Sequence, residues 1–148
     1  MLQATTMKSF LVRTYVGDTQ LSTATGSVFV ARGRDFLVTN RHVVTGLKQD
    51  SNFVLSESGA VPDSLTVQLR TRTVSKSIKV NLIEDEYSKW HEHPMLGKAA
   101  DIVALELPPE ECIELACYDL STPDTSIVVG PADPVSVVGF PFGMTVEG

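Results

Sequence analysis

The sequence predicts an all-β protein of sandwich or barrel type, and three observations lead there. Of 148 residues, 19 are Val, 14 Thr and 5 Ile, spread along the whole length. Branched side chains of this kind favour pleated, half-buried strands over helices. Short apolar or alternating runs recur between polar or Gly/Pro-bearing breaks, as in chains built from many short strands. Helical periodicity is nearly absent: residues 109–118 alone look helical, and they allow two turns at most.

The first strand is expected over 9–16, where Phe10, Val12 and Thr14 share a face. Residues 26–31 and 36–39 pair across Arg32-Gly33-Arg34-Asp35, a polar, Gly-bearing connection suited to a hairpin. Runs at 52–56, 64–72 and 77–83 follow. Within them Leu65, Val67 and Leu69 alternate with polar residues, the period-two mark of a strand with one wet face. The run at 102–107 is almost wholly apolar and stops at Pro108-Pro109, because proline brings no N–H to a ladder. Residues 126–129 and 135–139 are the last strand candidates. The acidic, Pro-punctuated stretch 108–134 reads as a connector. The expected organisation is therefore one finished β unit over 1–118, then a connector and the opening strands of a second unit over 119–148.

Composition removes several classes of function. No apolar run approaches the roughly 18 residues of a membrane span, so no membrane partner is expected. The opening Met-Leu-Gln-Ala-Thr-Thr-Met-Lys contains no apolar leader core. Cys112 and Cys117 are too few for a disulfide framework and lack nearby zinc partners. Two reduced, half-buried thiols fit a reducing compartment, and a cytoplasmic location is expected. The net charge of −6 argues against non-specific nucleic-acid binding, so no nucleic-acid partner is expected. Charge is uneven, +5 over residues 1–80 and −11 over 81–148, with acid gathered at Glu84-Asp85-Glu86 and around Glu110, Glu111 and Glu114. Such runs read as solvated loop faces.

Two residues carry the chemistry. His42 follows the apolar run Phe36-Leu37-Val38-Thr39 at the point where it becomes polar, and imidazole is the side chain best suited to move protons near neutral pH. Asp101 stands at the mouth of Ile102-Val103-Ala104-Leu105-Glu106-Leu107. A carboxylate there is partly desolvated and needs a partner. An Asp that accepts a hydrogen bond from one imidazole nitrogen fixes the tautomer and leaves the other nitrogen free to act as a base. A competing site is His91-Glu92-His93: on a strand the two rings share a face and can hold a metal. Trp90 and Pro94 argue for a loop there, no third ligand is visible, and no metal or other cofactor is expected. His93 is instead expected to support the loop before Asp101.

Thr25-Gly26-Ser27-Val28-Phe29-Val30, Leu37-Val38-Thr39-Asn40-Arg41-His42-Val43-Val44 and Asp101-Ile102-Val103-Ala104-Leu105 together resemble the trypsin-like serine peptidases. Trp90 with His93-Pro94 is similar to a segment of bacterial members, and Val135-Ser-Val-Val-Gly-Phe-Pro-Phe-Gly143 is similar to the start of their second barrel. The resemblance covers residues 9–143. It implies a trypsin-like Greek-key β-barrel, the first of two, with the second barrel only begun. It also implies that His42 and Asp101 are catalytic, His preceding Asp by 59 positions, with the nucleophile last in chain order.

The family carries that nucleophile in a Gly-x-Ser-Gly-Gly turn, and these 148 residues contain none. Ser136 falls in an expected strand, while Ser121 and Ser126 fall in the connector; none has the neighbouring glycines that let backbone N–H groups converge on an oxyanion. The leading expectation is the N-terminal part of a trypsin-like serine endopeptidase acting on polypeptide substrates, inactive as these 148 residues alone. The alternative is a non-catalytic module that keeps the peptidase barrel and docks a peptide or protein at an uncovered sheet edge.

Overall fold

The computed structural model describes residues 8–70, 75–109, 117–122 and 125–140. Ten strands and one short helix follow one another as β1 (Phe10–Val16), β2 (Thr19–Ala31), β3 (Arg34–Thr39), α1 (Arg41–Thr45), β4 (Ser64–Arg70), β5 (Ser75–Asn81), β6 (Ile83–Glu84), β7 (Tyr87–Ser88), β8 (Trp90–Glu92), β9 (Val103–Glu106) and β10 (Tyr118–Asp119). The fold is all-β. One sheet runs in the order β5-β4-β1-β2-β3-β9-β8, antiparallel throughout, and β10 adds to β2 in parallel. The small hairpin β6–β7 stands apart from it.

Two tight turns build the first three strands. Val16 pairs with Thr19 around Gly17-Asp18, and Ala31 pairs with Arg34 around Arg32-Gly33. Arg32 (φ 52°) and Gly33 (φ 72°) both take left-handed backbone, as a type I′ hairpin turn requires to match the twist of its strands. The expected four-residue connection is thus two residues long. Strand β2 exceeds expectation at its other end, since residues 19–25 pair with β1 although little in them is apolar. At Gly26 the strand passes from β1 to β3, and a Cβ there would lie 2.6 Å from Leu37 Cδ1 and 3.2 Å from Val12 Cγ2. The missing side chain lets those two residues close over β2 from either neighbour.

The core follows from the alternation. Leu65, Val67 and Leu69 on β4 are fully buried, with Ile78 and Val80 beside them on β5. Leu37 and Val28 meet them from β3 and β2, Val103 and Leu105 from β9, and Val43 and Val44 from α1. Each buried side chain of this size is worth ~1.5–3 kcal/mol relative to exposure. Trp90 and Cys117 pack on the margin of this cluster. Cys117 is half-buried and free; Cys112 lies outside the described residues.

Several expectations are corrected. A closed barrel requires its outermost strands to pair, and among the described residues β5 and β8 remain separate edges. The sheet is open. Residues 52–56 make a single bridge, Val54 to Leu47, and Phe53 is 72% exposed. Residues 126–129 and 135–139 form no strand, with Val128 and Val137 almost fully exposed. Branched residues supply propensity, but a strand also needs a neighbour to complete its ladder. The helix expected at 109–118 falls mostly outside the described residues, and its last residue, Tyr118, belongs to β10.

Helix α1 is stopped by Gly46, whose backbone is left-handed (φ 65°) and whose N–H reaches the His42 carbonyl. A Cβ at Gly46 would lie 2.5 Å from Pro62 Cδ, whereas Gly59 (φ 73°) faces open space. Gly59→Ala is expected to cost about 1 kcal/mol from backbone conformation alone. Gly46→Ala is expected to cost about 1–3 kcal/mol more, because the Pro62 contact is added. Urea unfolding of the two variants measures the difference.

Candidate active site

β3 and β9 run antiparallel with Thr39 opposite Val103. The residues just after β3 and those just before β9 therefore leave the sheet at the same end. Asn40 keeps extended backbone (φ −72°, ψ 145°) and serves as the cap position of α1, placing His42 in the first turn of that helix. Its own side chain makes no capping bond. Asp101 supplies one from the opposite strand: its Oδ1 accepts the His42 backbone N–H at 3.0 Å.

The second carboxylate oxygen faces the ring. His42 Nδ1 lies 2.7 Å from Asp101 Oδ2, the short separation of a hydrogen bond to an ionised acceptor. Oδ2 also accepts from Asn40 Nδ2 at 3.2 Å, and the same amide reaches the Asp101 main-chain carbonyl at 3.1 Å. Both side chains of the pair are partly open to solvent, His42 at 38% and Asp101 at 29%. Burial pushes the Asp101 carboxyl up. The His42 backbone N–H, the His42 ring and the Asn40 amide outweigh it and hold the carboxyl below the ordinary 3.8. With Nδ1–H directed at the carboxylate, the lone pair of a neutral ring resides on Nε2. Among the described residues, Nε2 has no hydrogen-bond partner.

The segment after β3 and the segment before β9 are joined at further points. Arg41 Nε donates to Glu92 Oε1 at 2.8 Å, with the guanidinium largely buried, which fastens α1 to β8. Gln49 Nε2 donates to the Lys98 carbonyl at 2.7 Å. The loop between β8 and β9 is folded into successive turns, and His93 holds the first of them: its Nδ1 accepts the backbone N–H groups of Met95 and Leu96 at 3.2 and 3.1 Å. His93 thus braces the loop that ends at Asp101, as expected.

His91 and His93 do not act together. Residues 90–92 are a strand and not a loop, but His91 meets the Phe36 ring edge-on at 6.4 Å while His93 Nδ1 is taken by backbone. Among the described residues no three His, Cys, Asp or Glu side chains gather as metal ligands. Ser121 Oγ donates to Asp119 Oδ1 at 2.6 Å, and Ser136 is exposed.

An open depression of about 230 Å³ adjoins the pair, lined by Thr25, Gly26, Ser27, Val38, Thr39, Asn40, Asp101 and Ile102. On its rim the Phe140 N–H donates to Thr25 Oγ1 at 2.8 Å, bringing residues 139–140 back to β2. Asn40, Arg41 and Glu92 carry no sequence signal of their own for a place in the site. The first two stand between Thr39 and His42, and the partner of Glu92 is 51 positions away.

The chain matches no protein-family model, no curated protein and no solved structure.

The depressed carboxyl of Asp101 links the site to acid stability. A group whose folded value lies below its unfolded one stabilises fully above the unfolded value, and that contribution is lost as pH falls through the folded value. Acidification below about pH 4 is therefore expected to lower the urea midpoint of the wild-type chain. Asp101→Asn, which cannot titrate there, is expected to begin less stable at neutral pH and to lose less on acidification. Parallel curves for the two proteins would contradict the assignment.

Proposed function

We propose that the chain carries the His–Asp part of a trypsin-like serine endopeptidase. The observation behind this reading is the geometry of one contact: Asp101 accepts both the backbone N–H and the ring Nδ1 of His42, leaving Nε2 available. An imidazole oriented in this way is a general base whose conjugate acid is stabilised by an adjacent carboxylate. Strand order adds support. Three consecutive antiparallel strands with the fourth returning beside the first, β4-β1-β2-β3, is the order that defines a Greek key.

In the proposed reaction, Nε2 of His42 takes the proton of a serine hydroxyl as its oxygen attacks the peptide carbonyl. Asp101 stabilises the imidazolium, and the proton passes to the departing amine as the C–N bond breaks. Water then repeats the sequence: Nε2 takes its proton, the acyl–oxygen bond to serine breaks, and the proton returns to the serine oxygen. The serine and the N–H groups that would receive the oxyanion are not supplied by any Gly-x-Ser-Gly-Gly turn in these 148 residues. The proposed reaction needs both from outside these residues.

The second reading, a non-catalytic module with the same fold, is favoured by the sheet edges at β5 and β8, which are unpaired among the described residues and able to accept an added strand. The intact mass of the native protein separates the two: close to 16 kDa favours the module, and a substantially larger protein favours the enzyme.

The decisive test is covalent labelling of the native protein by a fluorophosphonate. Labelling is expected, and His42→Ala or Asp101→Asn should slow it by about 10³-fold or more. A native protein that contains the glycine-flanked serine yet stays unlabelled, while a reference peptidase labels, would remove the enzymatic reading.

A further inference from the structure

Asn40 is of the residue type that readily caps a helix with its own side chain, and it occupies the cap position of α1 without doing so. Its amide is turned to Asp101, reaching the main-chain carbonyl at 3.1 Å and Oδ2 at 3.2 Å. Both targets are acceptors, so the NH₂ end must face them; the reversed amide would set oxygen against oxygen. Both hydrogens of one amide are thereby used on one residue. The cap is provided by Asp101 Oδ1 on the His42 N–H instead.

This exchange of roles matters for the carboxylate. A single donor leaves a carboxylate free to rotate about its Cβ–Cγ bond, whereas donors on both oxygens fix its plane. The His42 N–H holds Oδ1 and the Asn40 amide holds Oδ2. Neither belongs to the imidazole, so the acceptor for Nδ1–H stays in place however the ring moves.

We propose that Asn40 is a positioning residue for the His42–Asp101 pair: its side-chain amide fixes the plane of the Asp101 carboxylate and so holds the His42 ring in the tautomer with hydrogen on Nδ1. The catalytic meaning of this role rests on the peptidase reading above, but its physical content is the tautomer alone. Free imidazole lacks this bias, and a ring whose carboxylate partner swings away samples the form with hydrogen on Nε2, which cannot act as a base at that atom.

The test is nitrogen-15 NMR of the His42 ring in the 148-residue chain, at a pH where the ring is neutral. The wild-type chain is expected to show Nδ1 protonated and Nε2 bare. Asn40→Ser keeps a residue suited to the helix-cap position but loses the amide, and it is expected to show a mixture of tautomers with the Nε2–H form increased. A ring in Asn40→Ser that is unchanged from wild type would overturn the proposal, because the carboxylate would then hold the tautomer without the amide. Should the variant fail to fold, the wild-type chain suffices: the Asn40 side-chain amide signals should move with the titration of the Asp101 carboxyl, and flat signals would overturn the proposal equally. The two readings fail separately. Absent fluorophosphonate labelling counts against the peptidase and leaves the tautomer result standing, while an unchanged tautomer counts against Asn40 alone.

Discussion

The pairing of β3 with β9 is the constraint on which the site depends. Residues 59 positions apart in sequence are brought to within a hydrogen bond because Thr39 and Val103 face each other across an antiparallel ladder. The chain then turns sharply on both sides, into α1 after β3 and out of a string of tight turns before β9. Backbone register does the coarse placement, to a few ångströms. Side-chain bonds between the two segments complete it: Arg41 to Glu92, Asn40 to Asp101, Gln49 to Lys98. The apolar part of this arrangement is Leu37 and Leu105, opposite one another in the same register and both fully buried.

The carboxylate of Asp101 illustrates how a partly buried charge is tolerated. Desolvation disfavours it, and three donors on its two oxygens more than compensate. Because one donor is the backbone N–H of the residue whose ring it also binds, the carboxylate controls the position and the orientation of His42 together. It is a structural cap and an electrostatic partner at once.

The parts of the fold visible in sequence are those where side-chain period and backbone period coincide. Leu65, Val67 and Leu69 announce β4, and the apolar run at 102–107 announces β9. The first half of β2 was not visible, since Thr19, Gln20 and Ser22 are exposed and the strand exists through its pairing with β1. The reverse holds at Val128 and Val137, which have strand propensity and, among the described residues, no ladder to join. Helix α1 spans five residues, too short for a 3.6-residue period to register. His42 and Asp101 were legible as chemical types and through a family resemblance, but no rule of spacing brings them together. Asn40 stands between β3 and α1, two positions before His42. Its role depends on which way an amide turns, and sequence does not encode that locally.

The bond from the Phe140 N–H to Thr25 Oγ1 has a consequence for the depression it borders. Thr25 lines that depression beside Asp101, so residues 139–140 are part of its rim. A Cβ at Gly139 would lie 2.9 Å from Thr25 Oγ1, closer than the two atoms can sit without movement. A side chain at position 139 therefore reshapes the depression through Thr25, although it is 114 positions away in sequence.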